Sequence, residues 1–399
     1  MVLKKYAASF ISAVIKHVVI LWVFVIALVL IAPTALCQDD AGDEASGPST
    51  IDIISGLLDD DTAILVYNAD SMKVLVITSG GTATRTLPKA DEPLEIRVKA
   101  FVESMEALDP LVNFQDEAYA LYQILIEPVE GDIAGFGRLG IVPGFTLRKL
   151  SFAALVSDRD EANDFMPRPR FLMDDYAVFY SPALSLLADS LALPASTNLG
   201  GLVLGNAPYP GGFSYLKVAP LEMKAVTAEI PGAVMYETES ATESLFWDEL
   251  AKGGLSVVHI TSHSVIKSGN NESSRILLAG GDGQDGNLTV DEVLYSDMDV
   301  SLVTLSADRA ALIWSGSGGF PGAFLLAGAD SVLAPIWTID RGVTAVFMEF
   351  FYGNLTDHDK AEALRLAQQM VIDSEVEKGY RRLAHPGYWA PFVLYGSCK

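Results

Sequence analysis

In VTLSADRAALIWSGSGG, Val303 to Gly319, an apolar run ends at Ala307, a charged pair follows at Asp308 and Arg309, and serines and glycines lead into the next apolar element. The pattern is that of a buried strand leaving the core through a polar turn. LSVVHITSHS, Leu255 to Ser264, has the same form, with β-branched residues giving way to a polar exit. Strands that are apolar on both faces belong to a parallel sheet covered by helices. In such sheets functional groups gather where the carboxyl ends of the strands open into loops.

The segments on either side fit that reading. NLGGLVLGNAP, AVMYETES, SVLAPIW and PFVLYG read as further strands. PLEMKAVTAEI reads as a helix with Pro220 in its first turn. TESLFWDELAK is a helix capped by Thr242, LTVDEVL opens one with Thr289 and Glu292 at capping-box spacing, and PGAFLLAGA is a third. Nearer the start, EIRVKAFVESMEAL and QDEAYALYQILIEPV carry apolar residues at helical spacing, and RLGIVPG reads as a strand with LRKLSFAAL as its return. TAILVYNADSMKVLVITSGGTATRTL, Thr62 to Leu87, reads as a hairpin region broken at Asn-Ala-Asp and Ser-Gly-Gly. No internal repeat is visible.

Of the 399 residues half are hydrophobic, ample for a sizeable core, and the formal net charge is −24. A nucleic-acid partner is excluded, because no basic surplus exists to neutralise phosphates.

Lys4, Lys5 and Lys16 precede the uncharged run Val18 to Cys37, which at roughly 20 residues is long enough to cross a bilayer. QDDAGDEASGPST follows as an acidic linker. Basic residues before the run place the following domain outside the cytoplasm, anchored in the membrane. The competing outcome is cleavage after Cys37, with Ala35 and Cys37 at the −3 and −1 positions, giving a secreted or periplasmic protein. The expected organisation is a signal anchor or signal peptide over 1–37, a linker over 38–56, a β-hairpin region over 57–95 and the main domain over 96–399.

Cys37 and Cys398 are the two cysteines, so a disulfide framework and a cysteine metal site are both excluded, while a Cys37–Cys398 bridge stays open. His259 and His263 have the H-x-x-x-H spacing of a helical zinc site, but they lie on a strand, where four residues separate the rings by about 13 Å. No metal and no cofactor is expected. His259, inside the apolar run, reads as a hydrogen-bonded core histidine. His263, at the exit, is the better candidate for proton transfer.

LYQILIEPV, LGIVPGFTLRKLSFAAL, YAVFYSPALSLL, LVLGNAPY, VVHITSHS, LVTLSA, AFLLAGADSVLAPIW, FFYGNL, KAEALRLAQ and YWAPFVLYG occur in one order along the chain. Together they resemble the CHAT domain, a branch of the caspase–separase–gingipain group of cysteine peptidases. The resemblance covers roughly residues 57–397. It implies a caspase-like three-layer α/β/α fold with a mainly parallel sheet, here preceded by one transmembrane or signal helix.

The resemblance also implies a catalytic dyad, a histidine after one strand and a cysteine after the next. His263 falls on the histidine position. On the cysteine position stands Asp308, followed by Arg309, Ala310 and Ala311 where the family has an acidic residue, a threonine and a glycine. Cysteine peptidases need a thiolate activated by the imidazole, and a carboxylate is a poor nucleophile toward an amide. Asp308 and His263 are instead expected to face each other as an ion pair. The implied protein is a membrane-tethered pseudopeptidase that binds a peptide or protein in the former substrate cleft, with Ser264, Arg309, Gly316 and Gly318 as candidate binding positions. Pairing with an active relative is a further form of partnership. The alternative is a divergent hydrolase using His263 with Asp308, or with a loop serine, Ser315 or Ser317. Ser306, inside the strand, and Cys398, after the last strand, are not expected to reach the cleft.

Overall fold

The near-continuous apolar runs become strands of one eleven-stranded sheet. The structure is a computed structural model, and it describes residues 48–160, 168–193, 199–208, 215–266, 274–311, 319–374 and 382–399. The sheet with its covering helices belongs to one compact unit, Thr50–Lys399. The apolar run 18–37 with Cys37, the acidic stretch to residue 47, and Ser315 to Gly318 lie outside the described residues. Among the described residues no helix is long and apolar enough to cross a membrane.

In chain order the strands are β1 (Thr62–Asn68), β2 (Lys73–Thr78), β3 (Gly81–Thr86), β4 (Arg138–Val142), β5 (Ala177–Tyr180), β6 (Gly200–Gly205), β7 (Val234–Glu237), β8 (Leu255–Thr261), β9 (Leu302–Ser306), β10 (Ser331–Pro335) and β11 (Phe392–Gly396). Across the sheet they run β3-β2-β1-β4-β5-β11-β10-β9-β8-β6-β7. Pairing is parallel except at β1–β2, β2–β3 and β10–β11. Every residue of β9 and β10 is buried, as expected of central strands covered on both faces.

Two readings of local sequence change in the structure. LRKLSFAAL does not return along β4. It forms a short turn of helix at Phe152–Ala154, and Val156–Asp158 then pairs with Arg170–Phe171 in a separate two-stranded ribbon. The physical reason is that both edges of β4 are already taken, by β1 on one side and β5 on the other. Thr50–Leu57, the end of the stretch read as linker, is a helix that buries Ile54, while the Ser55 hydroxyl donates to Thr78 O at the end of β2. The hairpin region is continuous with the main sheet, since Ile64 of β1 pairs with Ile77 on one side and Gly140 on the other.

The helices pack in sets. Ala219–Glu229, Arg341–Asn354 and Lys360–Asp373 lie side by side, and Leu184–Ala192 contacts both Thr50–Leu57 and Gly319–Leu326. Their ends follow the sequence signals. Thr242 accepts from the Leu245 N–H, and Thr289 with Glu292 forms a reciprocal capping box. Asp340 caps Arg341–Asn354 by accepting from the N–H groups of Gly342 and Val343 at 2.9 and 3.1 Å. That cap fixes the backbone of Arg341 in the first turn of its helix.

Candidate functional site

The register of two central strands builds the site. β8 and β9 are parallel neighbours with Thr261 opposite Ser306, and the Ser262 N–H donates to Ser306 O at 3.1 Å. His263 and Asp308 each lie two residues beyond that last matched pair, so both loops leave side by side at the carboxyl end of the sheet. At the end of β6, on the other side of β8, the backbone approaches just as closely. Gly205 has φ +155°, and a Cβ there would meet Thr261 O at 1.9 Å, so only glycine fits.

The loops are tied to one another. The Ser264 hydroxyl donates to the main-chain oxygen of Asp308. Ser264–Val265 pairs with Arg275–Leu277, which pairs with Asn287–Thr289, making a small three-stranded ribbon beside the exit. His263 is half-buried, and its main-chain oxygen accepts from the Leu277 N–H at 3.0 Å.

The Asp308 carboxylate has two contacts at this exit. One oxygen accepts from the Ile339 N–H at 3.1 Å, and the other lies 3.5 Å from a terminal nitrogen of Arg341. Arg341 has two stronger contacts: one terminal nitrogen donates to Ser306 O at 2.9 Å and the other to Ser262 O at 3.0 Å. A guanidinium competes well for a carboxylate because its planar fork is charged at every pH and keeps more than one acceptor in reach. The sequence alone does not single out Arg341. Its one signal is SVLAPIWTIDR, a third buried strand running out into charged residues, the same form as the other two exits.

The remaining candidates separate. Arg309 stands in the left-handed region at φ 56°, and its guanidinium is paired at 2.7 and 3.1 Å with Glu106 of the helix Leu94–Ala107. Gly316 and Gly318, with Ser315 and Ser317, lie outside the described residues. The Ser306 hydroxyl is fully buried, with no hydrogen-bond partner among the described residues. Cys398 lies past Gly396, which pairs with Ser331 at the start of β10. It is therefore at the opposite end of the sheet from His263, and burial pushes its thiol up to about 11.

His259 is a core residue. Its ring nitrogens contact the Tyr352 hydroxyl at 3.1 Å, Glu222 Oε1 at 3.0 Å and Thr261 Oγ1 at 2.9 Å, and Tyr352 donates onward to Thr304 Oγ1 at 2.7 Å. Burial drives the Tyr352 hydroxyl far above its ordinary value, so it stays a donor. Among the described residues no group of three metal-binding side chains is assembled. A cavity of about 490 Å³ opens at the amino ends of β8 and β9, lined by Leu191, Val257, Leu302, Asp330 and Lys360 among others. It shares no residue with the His263–Asp308 cleft.

Chemically, the described part of the cleft holds an imidazole and a carboxylate fixed by a main-chain N–H and a guanidinium. A carboxylate so held is a structural acceptor, and a poor attacking group.

The CHAT domain family matches residues 115–397, more than half of the chain. Tetratricopeptide repeat protein 28 of Mus musculus is 32% identical over 113 residues, 28% of this chain and 4% of that protein, and the Homo sapiens protein is 31% identical over 113 residues. The chain thus spans only a small fraction of the length of the curated relatives it matches. Among solved structures, a Saccharomyces cerevisiae separase–securin complex superposes with a TM-score of 0.55 at 10% identity, covering 87% of this chain and 30% of that one. Gingipain R superposes at 0.43 with 12% identity, covering 76% of this chain and 74% of that one. At these identities the likeness to separase is one of fold.

Proposed function

The chain belongs to the CHAT domain family, and on that footing we propose that it is a pseudopeptidase, a caspase-like three-layer domain whose cysteine chemistry has been lost and which works by binding. The observation that carries this reading is the state of Asp308. On the position where the family resemblance puts the nucleophile stands a carboxylate, occupied by the Ile339 N–H and Arg341. Its partner is a peptide or protein segment lying across the loops after β8 and β9, between His263, Ser264 and Arg309. The separase neighbour was solved in complex with the protein securin, which supports a protein partner for this fold. The chain is tethered through residues 18–37, with the domain outside the cytoplasm.

The test is turnover against binding. The full chain, in detergent, is incubated with a broad peptide library, and bound and cleaved peptides are measured separately. Saturable binding without cleavage, weakened by bulky substitution at Ser264, is the expected result. Peptide cleavage by the natural chain, lost in Asp308→Ala and in His263→Ala, would establish the rival reading of a hydrolase that uses the aspartate.

A further inference from the structure

Arg341 touches more than the Asp308 carboxylate. Its two terminal nitrogens reach main-chain oxygens on two different strand exits, Ser306 and Ser262, and one of them also lies 3.5 Å from Asp308. Without a cation, two carbonyl dipoles and a carboxylate would point their negative ends at one place. In a chain with a net charge of −24 no general surplus of positive charge exists to relieve them. Two neighbouring charges among the described residues have other partners. Arg309 pairs with Glu106 and Asp340 is used as a helix cap, while Arg341 is the cation in contact with Asp308 among the described residues, and His263 is a titratable group on the neighbouring β8 loop. The Arg341 side chain is only 17% exposed, and its backbone is held by the Asp340 cap. A planar fork anchored at its base fixes the relative position of everything it binds.

We infer that Arg341 is the positioning residue of the cleft: it couples the loops after β8 and β9 and holds the Asp308 carboxylate, whose other oxygen accepts from the Ile339 N–H. The inference deepens the binding reading and rests on it only for the use of the cleft; the coupling itself needs no partner. An aspartate is tolerated at the former nucleophile position because an arginine faces it. Lysine would not serve, since a point charge cannot span both carbonyls.

The experiment turns position 308 into a reporter. In Asp308→Cys of the full chain, the alkylation rate of the new thiol by iodoacetamide is followed against pH, with the natural chain subtracted to remove Cys37 and Cys398. A thiol beside a cation ionises more readily and is alkylated at lower pH. Adding Arg341→Met is expected to move the rate profile to higher pH and slow alkylation at neutral pH several-fold. Adding His263→Ala is expected to change it less than about twofold. The reverse order overturns the inference, because His263 would then be the group facing position 308.

Two further measurements separate positioning from charge alone and cover a poorly folding methionine variant. Arg341→Lys is expected to restore the alkylation profile only in part, and full restoration overturns the positioning role. In thermal unfolding, Asp308→Asn combined with Arg341→Lys is expected to lower the melting temperature by less than the sum of the two single variants. Additive losses would also overturn it. None of these readouts involves a peptide, so a coupled cleft that binds nothing would sink the proposed function and leave this inference standing.

Discussion

Glu222 Oε1 and His259 Nε2 lie 3.0 Å apart with both side chains cut off from solvent, at 1% and 0% exposure. The carboxylate comes from the helix Ala219–Glu229 and the ring from the middle of β8, so the contact bolts a covering helix to the sheet beneath it. Thr261 Oγ1 also donates to the same carboxylate oxygen, at 3.1 Å.

Removing one member of such a pair costs more than altering it. His259→Phe leaves the Glu222 carboxylate buried with a single hydroxyl, and urea unfolding should show a loss of about 3–5 kcal/mol. Glu222→Gln keeps a hydrogen-bonding group in place and should lose closer to about 1 kcal/mol, the scale of one net hydrogen bond. Equal losses would show that packing, and not the pair, carries the effect.

His385 sets an acid limit. Burial lowers it from an ordinary 6.5 to about 4 in the folded chain. The unfolded chain therefore takes up the proton first as pH falls. The contribution of His385 is fully present above pH 6.5, and it is lost as pH falls toward 4, by on the order of 3 kcal/mol. Replacing His385 with Asn, which can still cap Gly387, should flatten the stability profile between about pH 6.5 and 5. An unchanged slope would show that the ring is solvated.

Cys398 sets the corresponding alkaline limit. Its thiol is raised by burial from 9.0 to about 11, so the unfolded chain releases the proton first as pH rises. Stability should decline between pH 9 and 11, and Cys398→Ala should remove that part of the decline. The same burial predicts that Cys398 resists alkylation at about pH 8 until urea unfolds the domain. Rapid labelling of the folded chain would contradict it.

Arg309 carries a backbone cost that its side chain scarcely offsets. A non-glycine residue in the left-handed region costs about 1–2 kcal/mol, and a half-exposed pair such as Arg309–Glu106 returns less than about 1 kcal/mol. Arg309→Gly should therefore be neutral or stabilising, whereas Arg309→Val should destabilise clearly. If the order is reversed, the ion pair matters more than the turn.

The orientation proposed from Lys4, Lys5 and Lys16 is tested in cells. Protease added to intact cells or spheroplasts should digest the domain after residue 38. Complete protection until lysis would put it on the other side of the membrane.

Much of the fold is legible because the central strands announce themselves as unbroken apolar runs, and because Thr242, Thr289 and Glu292 signal helix starts locally. The carboxyl-end location of His263 and Asp308 can be read from the same runs. Legibility ends where pairing is long-range. LRKLSFAAL looks like a strand, but whether β4 has a vacant edge depends on Thr62–Asn68 and Ala177–Tyr180, distant in sequence. Arg341 reaches carbonyls 35 and 79 residues away, and no local pattern encodes that choice of partner. Strand order alone brings Asp308 and His263 to neighbouring exits, but it is blind to the third chain segment that adds Ile339 and Arg341 beside Asp308.

The position of β11 has a consequence for how the protein is made. Phe392–Gly396 lies in the middle of the sheet, between β5 and β10, yet it leaves the ribosome after the other ten strands of that sheet. Until it arrives, β5 and β10 face one another across a strand-wide gap with open backbone edges, and the sheet exists only as two unjoined halves. Cooperative closure is thereby deferred to the end of synthesis. On the proposed route across a membrane, such a late keystone keeps the polypeptide threadable. It also makes the nascent halves the stage most exposed to mispairing, and so the stage at which a chaperone has the most to protect.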